Sequence, residues 1–438
     1  TIKYPAPKDL ASLLNSEMDS KNPILIGNLV ARKDIKVFVS ADNMVSRHVL
    51  VIGMTGSGKS VVTRRILREL MEKKYPIMVI DPHGDYLGIV QQAKKLFPNH
   101  NIKLFYPKIS APANNKEVIF ALIEKLGKKL TDPQYDFLNW LLDNINYESG
   151  VSLINYINIL IQRANTAAAN KRNKSNTGMN GMSNTGATTM GVVARSLRVV
   201  ESKLKKMEKD NKENMEKFPH LKFQELPDSY SQPEKIIAKS QVSILYLKGY
   251  ESLPSSTIVS ILLDNLFNHR SAGNKIIPPF FNIIEEAQNF IPSRAEGQDG
   301  YPSVETIKKI STEGRKFGVG LMVITQRPYK LDETVCSQMN SYIVLRLKNE
   351  RDQRFVKNTM ENWDDEEAKQ LPNFANGQGI VSGQITNIPL TVQIKFDMDL
   401  TNPDLGDENF ISDVQNWKES ERAKKKKEFS KKFEKIFE

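Results

Sequence analysis

The sequence of 438 residues predicts an α/β fold in which a helical insertion interrupts a mostly parallel sheet. Residues 46–112 have the pattern of a buried strand, a glycine-rich turn, a helix and a second apolar strand, and this order implies parallel pairing. The same alternation resumes over residues 236–398. Residues 113–235 carry the apolar spacing of helices instead, as in "FLNWLLDNI". We therefore predict one core in two parts, with a helical segment inserted between them.

Two further segments stand out by their composition. Residues 164–190, "ANTAAANKRNKSNTGMNGMSNTGATTM", are rich in Asn, Thr, Gly and Ser, and this composition predicts a mobile loop. Residues 399–438 include the run "ERAKKKKEFSKKFEKIFE", which predicts a solvated, basic helical tail. Both segments lie outside the predicted sheet.

The charge balance indicates an anionic partner. Lys and Arg number 62 against 51 Asp and Glu, which gives a formal charge of +11. The bases are concentrated between Arg163 and Lys206, a stretch in which Glu201 is the one acid. A basic balance of this kind favours nucleic acid or another anionic surface as the partner, although it carries no information about the fold.

The composition also excludes several classes of protein. Cys336 is the single cysteine, so an internal disulfide framework is excluded, and we expect a reducing, cytoplasmic location. The five histidines show no metal-ligand spacing, and we predict no zinc site. The sequence contains no apolar run near the roughly 18 residues that a membrane span needs, so we expect no membrane association.

The most specific motif is "GMTGSGKS", which matches G-x-x-x-x-G-K-[ST] at residues 53–60. Its glycines let successive backbone N–H groups converge on phosphates, and the helix that follows adds its positive N-terminus. We expect Lys59 to reach the β- and γ-phosphates and Ser60 to ligate Mg²⁺. ATP and Mg²⁺ are therefore the predicted cofactors. The predicted nucleotide-binding residues are Gly53, Thr55, Gly56, Ser57, Gly58, Lys59, Ser60 and Val61.

A second motif, "FFNIIEEAQNF", is best understood together with the phosphate-binding motif. An apolar strand ends in two adjacent acids, Glu285 and Glu286, and burying either without a partner is costly. A nearby metal ion and its bound water would offset that cost. We therefore predict that Glu285 supports the metal and that Glu286 activates the attacking water.

Polar residues end two further strands on what should be the same edge of the sheet, where open α/β sheets bind their ligands. In "VIDPHGDY", Asp81 is a candidate metal or water ligand, with a capping or turn role as the alternative. In "LMVITQRP", Thr325, Gln326 and Arg327 follow the strand. Gln326 is a candidate sensor of the γ-phosphate or the lytic water, with an ordinary strand-end turn as the alternative.

Arg315, in "EGRKFGVG", is a candidate arginine finger, a cation that one subunit presents to the ATP of its neighbour. A routine helix C-terminal cation is the alternative. A finger acting in trans requires an oligomer, and in a ring each interface joins two different faces of the subunit. Arg47 and Arg346 are weaker candidates for contacts to phosphate or between subunits.

Together these stretches resemble the HerA family of hexameric DNA translocases, within the HerA and FtsK group of P-loop ATPases. The most specific stretch is "EGRKFGVGLMVITQRPYKLDETVCSQMNSYIVLRL". The resemblance implies a RecA-like core, a homohexameric ring, and double-stranded DNA threaded through its channel. It assigns nucleotide and metal binding to Lys59 and Ser60, catalysis to Glu286, sensing to Gln326 and the finger role to Arg315.

The same resemblance implies a docked nuclease, such as NurA in DNA-end resection, or another effector in phage defence. Family members usually carry an N-terminal β-barrel, and residues 1–45 are too few for a whole one. We therefore interpret residues 1–45 as a remnant or linker of that region. Two other functions stay open at this point: a protein-substrate motor of the same superfamily, and a nucleotide-gated ring scaffold that assembles and switches a partner effector.

Overall fold

The computed structural model describes residues 21–107, 116–127, 129–145, 151–173, 185–273, 275–296, 301–360 and 369–400. The basic tail predicted for residues 399–438 lies outside these ranges beyond residue 400. The structural statements that follow concern the described residues.

Twelve strands form one sheet in the described part of the chain. They are β1 (Pro23–Leu29), β2 (Lys36–Ser40), β3 (Val49–Ile52), β4 (Ile77–Asp81), β5 (Asn101–Tyr106), β6 (Phe223–Glu225), β7 (Gln241–Tyr246), β8 (Phe280–Ile284), β9 (Val319–Thr325), β10 (Ser341–Leu345), β11 (Gln378–Gly383) and β12 (Leu390–Ile394). Their order is β2-β1-β12-β11-β10-β3-β9-β8-β4-β7-β5-β6. From β10 to β6 every neighbouring pair is parallel. From β2 to β10 the pairs are antiparallel. The predicted α/β class with a mostly parallel sheet is confirmed.

Helices cover both faces of the sheet. They are α1 (Ala41–Arg47), α2 (Lys59–Glu72), α3 (Leu87–Leu96), α4 (Lys116–Leu126), α5 (Asp132–Asp143), α6 (Leu153–Arg172), α7 (Ala187–Glu216), α8 (Ser252–Ser271), α9 (Pro302–Phe317), α10 (Glu333–Ser337) and α11 (Glu350–Thr359). Helices α1–α3 share one apolar cluster, and helices from α4 onward contribute to the other. None of the described helices is both long enough and apolar enough to cross a bilayer.

The strand that leads to the phosphate motif shows why the core strands are continuous apolar runs. All residues of β3 are buried. Val49 and Val51 belong to one apolar cluster, whereas Leu50 and Ile52 belong to the other. A parallel strand with both faces covered cannot alternate apolar and polar residues, because each face packs against helices.

The segment predicted as a helical insertion, residues 113–235, contains helices α4–α7 but also supplies β6 to the sheet, and the mobile loop predicted over residues 164–190 is wrong at both ends. Helix α6 continues to Arg172, and α7 begins at Ala187. Ala164, Ala167 and Ala168 are buried in the core of the insertion. Alanine has the highest helix propensity and allows close packing, so this alanine-rich stretch extends a helix despite its low complexity. The intervening residues 174–184 lie outside the described part of the chain.

Asn211 of α7 joins the insertion to the sheet at the edge formed by the carboxyl ends of the parallel strands. This side chain is buried, and its amide donates hydrogen bonds to the carbonyl oxygens of Tyr246 (3.3 Å) and Lys248 (2.7 Å). Gly249 adopts a left-handed conformation (φ 104°), and a Cβ there would lie 2.7 Å from the backbone nitrogen of Asn211. The close approach therefore requires glycine at this position.

Over their described part, residues 1–45 are joined to the main sheet. From Pro23 onward they supply β1 and β2, which extend the main sheet through the pairing of β1 with β12. A buried ion cluster fixes this edge to the helix of the phosphate motif. Arg65 of α2 pairs with Glu69 and with Asp397 (2.9 Å), and its Nε donates to the carbonyl oxygen of Leu25 at 2.6 Å.

Candidate active site

The motif at residues 53–60 forms a loop between β3 and the N-terminus of α2. Gly56 and Gly58 have φ values of 74° and 108°, a region that strongly favours glycine. A Cβ on Gly58 would lie 2.9 Å from Gly377, whose N–H donates to the carbonyl oxygen of Ser57 at 2.9 Å. The conformation of the loop thus depends on its own glycines and on the contact with Gly377, in the segment before β11.

Lys59 bends back over its own loop. Its ammonium lies 3.0 Å from the carbonyl oxygen of Gly53 and 3.4 Å from that of Met54. Burial lowers the pKa of Lys59, and the carboxylates of Glu286, Glu285 and Asp85 act in the opposite direction. The geometry therefore brings the lysine of the phosphate motif into the field of the predicted acidic pair.

Glu285 follows β8 directly and is buried. The hydroxyl of Tyr86 donates a hydrogen bond to its carboxylate at 2.7 Å. Burial raises the pKa of Glu285 to about 8, while the Tyr86 hydrogen bond alone would lower it. Burial therefore favours the protonated form of this carboxyl group. A bound cation would favour its charged form.

Glu286, the second acid of the pair, is half-buried at the start of the 3₁₀ turn Ala287–Asn289. Its backbone is left-handed, with φ 47° and ψ 51°, a conformation that costs free energy for a residue with a side chain. The turn directs the chain away from the sheet immediately after Glu285. The amide of Gln288 donates a hydrogen bond to the Glu286 carboxylate.

The end of β9 lies beside the phosphate loop, because β9 pairs in parallel with β3 and Thr325 is the partner of Ile52. The hydroxyl of Thr55, at the exposed tip of the loop, donates to the side-chain oxygen of Gln326 at 2.6 Å. The Thr325 hydroxyl donates to the side-chain oxygen of Gln288 at 2.7 Å. The structure therefore brings Gln326 to the loop, where the sequence predicted it.

Asp81 occupies the end of β4, but its surroundings favour the turn role. Its carboxylate accepts hydrogen bonds from the backbone N–H groups of residues 83–86, at 2.7–3.2 Å. Burial and then the carboxylate of Asp85 raise its pKa to about 6, although the N–H groups favour its charged form. Asp81 shapes the loop that carries Tyr86, and its oxygens are engaged without a metal.

Arg315 and Lys316 are exposed at the C-terminal end of α9, which leads through Gly318 into the amino end of β9. The phosphate loop lies at the other edge of the sheet. A strand of seven residues spans roughly 20 Å at ~3.3 Å per residue. Arg315 therefore does not approach the phosphate loop of its own chain.

Arg47 ends α1, immediately before β3, and so lies at the same edge as Arg315. The prediction that Arg47 binds the nucleotide is wrong for the same chain, because β3 separates it from the loop. Its guanidinium contacts the side chain of Gln384 instead. Arg346 follows β10 at the loop edge, and its carbonyl oxygen accepts from the N–H of Met54 at 3.0 Å.

The oxygen-donor chemistry of this edge fits Mg²⁺. The exposed hydroxyl of Ser60 at the start of α2 and the carboxylate of Glu285 are hard oxygen donors, which Mg²⁺ prefers. No group of three or more His, Cys, Asp or Glu side chains in the described ranges could hold a metal alone. Mg²⁺ sites in nucleotide enzymes usually combine one or two protein ligands with substrate phosphates, so the sparse set is compatible with the ion.

Sequence reasoning missed two residues of this site, Tyr86 and Gln288. Tyr86 lies in the quoted "VIDPHGDY" and Gln288 in "IIEEAQNF", so both were inside recognised motifs. A polar residue two positions after the acidic pair was the available signal for Gln288. No periodicity in the sequence indicates that Tyr86 would contact a residue almost two hundred positions away.

The strand order, the phosphate loop and the two adjacent acids that follow β8 together define a P-loop ATPase. The chain belongs to the HerA family, since the family described as "Helicase HerA, central domain" matches residues 24–266. A probable helicase of Methanocaldococcus jannaschii is 28% identical over 401 residues, covering 87% of this chain and 72% of the relative. The DNA double-strand break repair helicase HerA of Pyrococcus furiosus is 25% identical, covering 89% of this chain and 72% of the relative.

Solved structures support the fold independently. The structure of VirB4 of Thermoanaerobacter pseudethanolicus aligns with a TM-score of 0.55 at 12% identity, covering 87% of this chain and 98% of that one. At this identity the likeness concerns the fold alone. Family membership and the P-loop ATPase fold together identify the chain as an ATP-hydrolysing enzyme of the HerA family.

We predict that Tyr86→Phe weakens Mg²⁺ binding in the presence of ATP. A hydrogen bond to a charged group contributes roughly 1.5–3 kcal/mol, so its loss should reduce apparent Mg²⁺ affinity at pH 7 by on the order of tenfold. Without the hydroxyl the pKa of Glu285 rises further. The deficit should therefore shrink only when the pH rises above about 8 and also exceeds the higher pKa of the variant, where the carboxyl is ionised in both proteins.

Mg²⁺ titrations of ATP hydrolysis at pH 7 and pH 9 measure this effect. Tyr246→Phe is the matched control, because the hydroxyl of Tyr246 is buried with no hydrogen-bond partner in the described part of the chain. Equal Mg²⁺ dependence of Tyr86→Phe and wild type at pH 7 would show that the hydroxyl does not support Glu285 as a ligand.

Proposed function

We propose that this chain is an ATP-driven translocase or helicase for double-stranded DNA that works as a homohexameric ring. The observation that supports this most strongly is the convergence of Lys59, Glu285 and Glu286 on one edge of the sheet. The curated relatives named as DNA double-strand break repair helicases support DNA as the substrate. A nuclease or another effector docked on the ring is the expected partner.

Each residue of the site has a role in this proposal. Backbone N–H groups of the loop and Lys59 bind the ATP phosphates, and Ser60 and Glu285 hold Mg²⁺. Mg²⁺, when bound, neutralises the charge that develops on the transferred phosphoryl group. Glu286 accepts a proton from the attacking water and orients that water toward the γ-phosphate. Gln326, in contact with Thr55 at the loop tip, senses whether the γ-phosphate is there.

Arg315 completes the site of the neighbouring subunit. It is exposed, and it lies at the sheet edge opposite to the phosphate loop. A ring of heterologous interfaces joins two different faces of the subunit, so the Arg315 edge of one chain meets the loop edge of the next. Arg47 lies on the same edge and is available for the same interface.

Mixed rings test the action of Arg315 in trans. We predict that Lys59→Ala and Arg315→Ala each reduce ATP hydrolysis by about 10³-fold, because each lacks one half of every site. Random mixing of the two variants rebuilds complete sites at roughly a quarter of the interfaces. Steady-state hydrolysis of the mixture should therefore recover well above that of either variant.

Lys316→Ala is the control for Arg315→Ala, since it removes the neighbouring exposed cation. Subunit exchange is verified by sizing differently tagged chains in one ring. A mixture that exchanges subunits yet stays as inactive as its parents would contradict a finger supplied by the neighbour.

The DNA-contacting surface that we propose is the outward face of α7 between residues 195 and 209. We call it the basic ridge, and its exposed members are Arg195, Arg198, Lys203, Lys205, Lys206 and Lys209. The ridge spans roughly 21 Å at ~1.5 Å per helical residue. Glu201 and Glu208 lie on its flank, and Lys205 forms an ion pair with Glu201 at 2.6 Å. Cations held at this spacing suit the phosphates of a nucleic acid backbone.

We predict that Lys203→Glu with Lys206→Glu weakens duplex DNA binding by at least about tenfold at low salt. It should also flatten the slope of log affinity against log salt by roughly one to two, because phosphate contacts release counterions. Fluorescence anisotropy with a labelled duplex over a salt series measures both. The control is Lys94→Glu with Lys95→Glu, the same charge change on the exposed end of α3.

Equal losses in the two double variants would mean that the effect is one of net charge and that the ridge makes no specific contact. An unchanged salt slope in the ridge variant would likewise show that α7 does not contact the DNA phosphates.

A further inference from the structure

Gln288 connects the strained acid Glu286 to the neighbouring strand β9. Its amide nitrogen donates to the Glu286 carboxylate, and its amide oxygen accepts from the hydroxyl of Thr325 at 2.7 Å. The residue is half-buried in the 3₁₀ turn that follows the acidic pair. The Gln288 side chain therefore links a residue that follows β8 to the last residue of β9.

Thr325 is itself fixed by contacts at the end of β9. It is fully buried, and its hydroxyl oxygen accepts the backbone N–H of Arg327 at 3.0 Å. The next residue, Gln326, accepts the hydroxyl of Thr55 at 2.6 Å. A continuous chain of hydrogen bonds and one peptide step thus runs from Glu286 through Gln288 and Thr325 to the tip of the phosphate loop.

Glu286 needs such support because its backbone does not fix the carboxylate. A glutamate side chain has several rotatable bonds whatever its backbone conformation, and a displacement of about 1 Å can cost on the order of 100-fold in rate. A hydrogen bond from a side chain that is held at its other end restricts the carboxylate directly.

We propose that Gln288 is a positioning residue that keeps the Glu286 carboxylate at a fixed position relative to Gln326, the proposed γ-phosphate sensor that follows β9. This inference rests on the proposed role of Glu286 in activating water. Gln288 acts on the rate through Glu286, which its amide contacts directly. The link makes the acid follow any movement that nucleotide binding imposes on Thr325 and Gln326.

The chemistry of the contacts requires an amide at this position. A primary amide donates through nitrogen and accepts through oxygen, so glutamine satisfies both neighbours at once. Glutamate at position 288 could still accept from Thr325 but would present a second carboxylate to Glu286. Alanine would satisfy neither neighbour.

The test compares Gln288→Ala, Gln288→Glu and Thr325→Val with wild type. We expect Gln288→Ala to lower kcat by about 10- to 100-fold, with the affinity for a fluorescent ATP analogue changed less than twofold. Gln288→Glu should be at least as impaired. Asn289→Ala, on the same turn but outside this chain of contacts, should keep the wild-type kcat.

A double-mutant cycle separates positioning from general damage. If Gln288 acts through Thr325, Gln288→Ala with Thr325→Val is no slower than Thr325→Val alone, because Thr325→Val already removes the Gln288 contact together with the bond from the Arg327 N–H. Fully multiplicative losses, or an unchanged kcat in Gln288→Ala, would overturn the proposal. Thermal unfolding of each variant identifies any loss of folded protein.

Glu286→Gln in the same assay keeps the two hypotheses apart. If Glu286→Gln retains wild-type hydrolysis, the proposed role of Glu286 fails and takes this inference with it. If Glu286→Gln is inactive while Gln288→Ala hydrolyses ATP normally, only the positioning role of Gln288 is contradicted.

Discussion

The burial of the Glu285 carboxyl at the end of an apolar core strand is the constraint on which the site depends. An ionised carboxylate in this place costs free energy unless charges or hydrogen bonds offset the cost, and burial raises its pKa to about 8. The Tyr86 hydroxyl, the Lys59 ammonium and an expected Mg²⁺ all act in the opposite direction. Tyr86 is available only because Asp81 shapes the turn between β4 and α3. The acid, the turn and the phosphate loop therefore form one interdependent unit.

A second property of the site comes from the parallel order of the central strands. Since β8, β9 and β3 are neighbours in one register, the residues that follow them meet without any long loop. Glu286, Gln288, Thr325, Gln326 and Thr55 form a connected set across these strand ends. The cations Arg315 and Arg47 are excluded from that edge by the length of β9 and β3. The residues proposed for hydrolysis thus lie at one edge of the sheet and the finger candidate at the other, which is the arrangement that the proposed ring needs.

The sequence was sufficient for the elements with strong local signals. The phosphate loop, the acidic pair after β8, Gln326 beside the loop and the helical insertion follow from motif and periodicity, and the fold class and family are confirmed. Sequence-based prediction failed where tertiary contacts determine the conformation of a segment or the location of a residue. Composition suggested a loop at residues 164–172, but buried alanines hold that stretch in α6. Arg47 was assigned to the nucleotide because nearness along the chain conceals which end of a strand a residue occupies. Tyr86 was missed because its partner lies on a distant strand.

The most direct test of the account is ATP hydrolysis with and without linear duplex DNA, on wild type and Glu286→Gln, at a concentration where the ring has been sized. We predict a hexamer whose hydrolysis rises on adding duplex DNA. We also predict that Glu286→Gln binds ATP and DNA but hydrolyses ATP at least about 100-fold more slowly. Hydrolysis that ignores duplex DNA, or that survives Glu286→Gln, would contradict the assignment of this site to a DNA-driven motor.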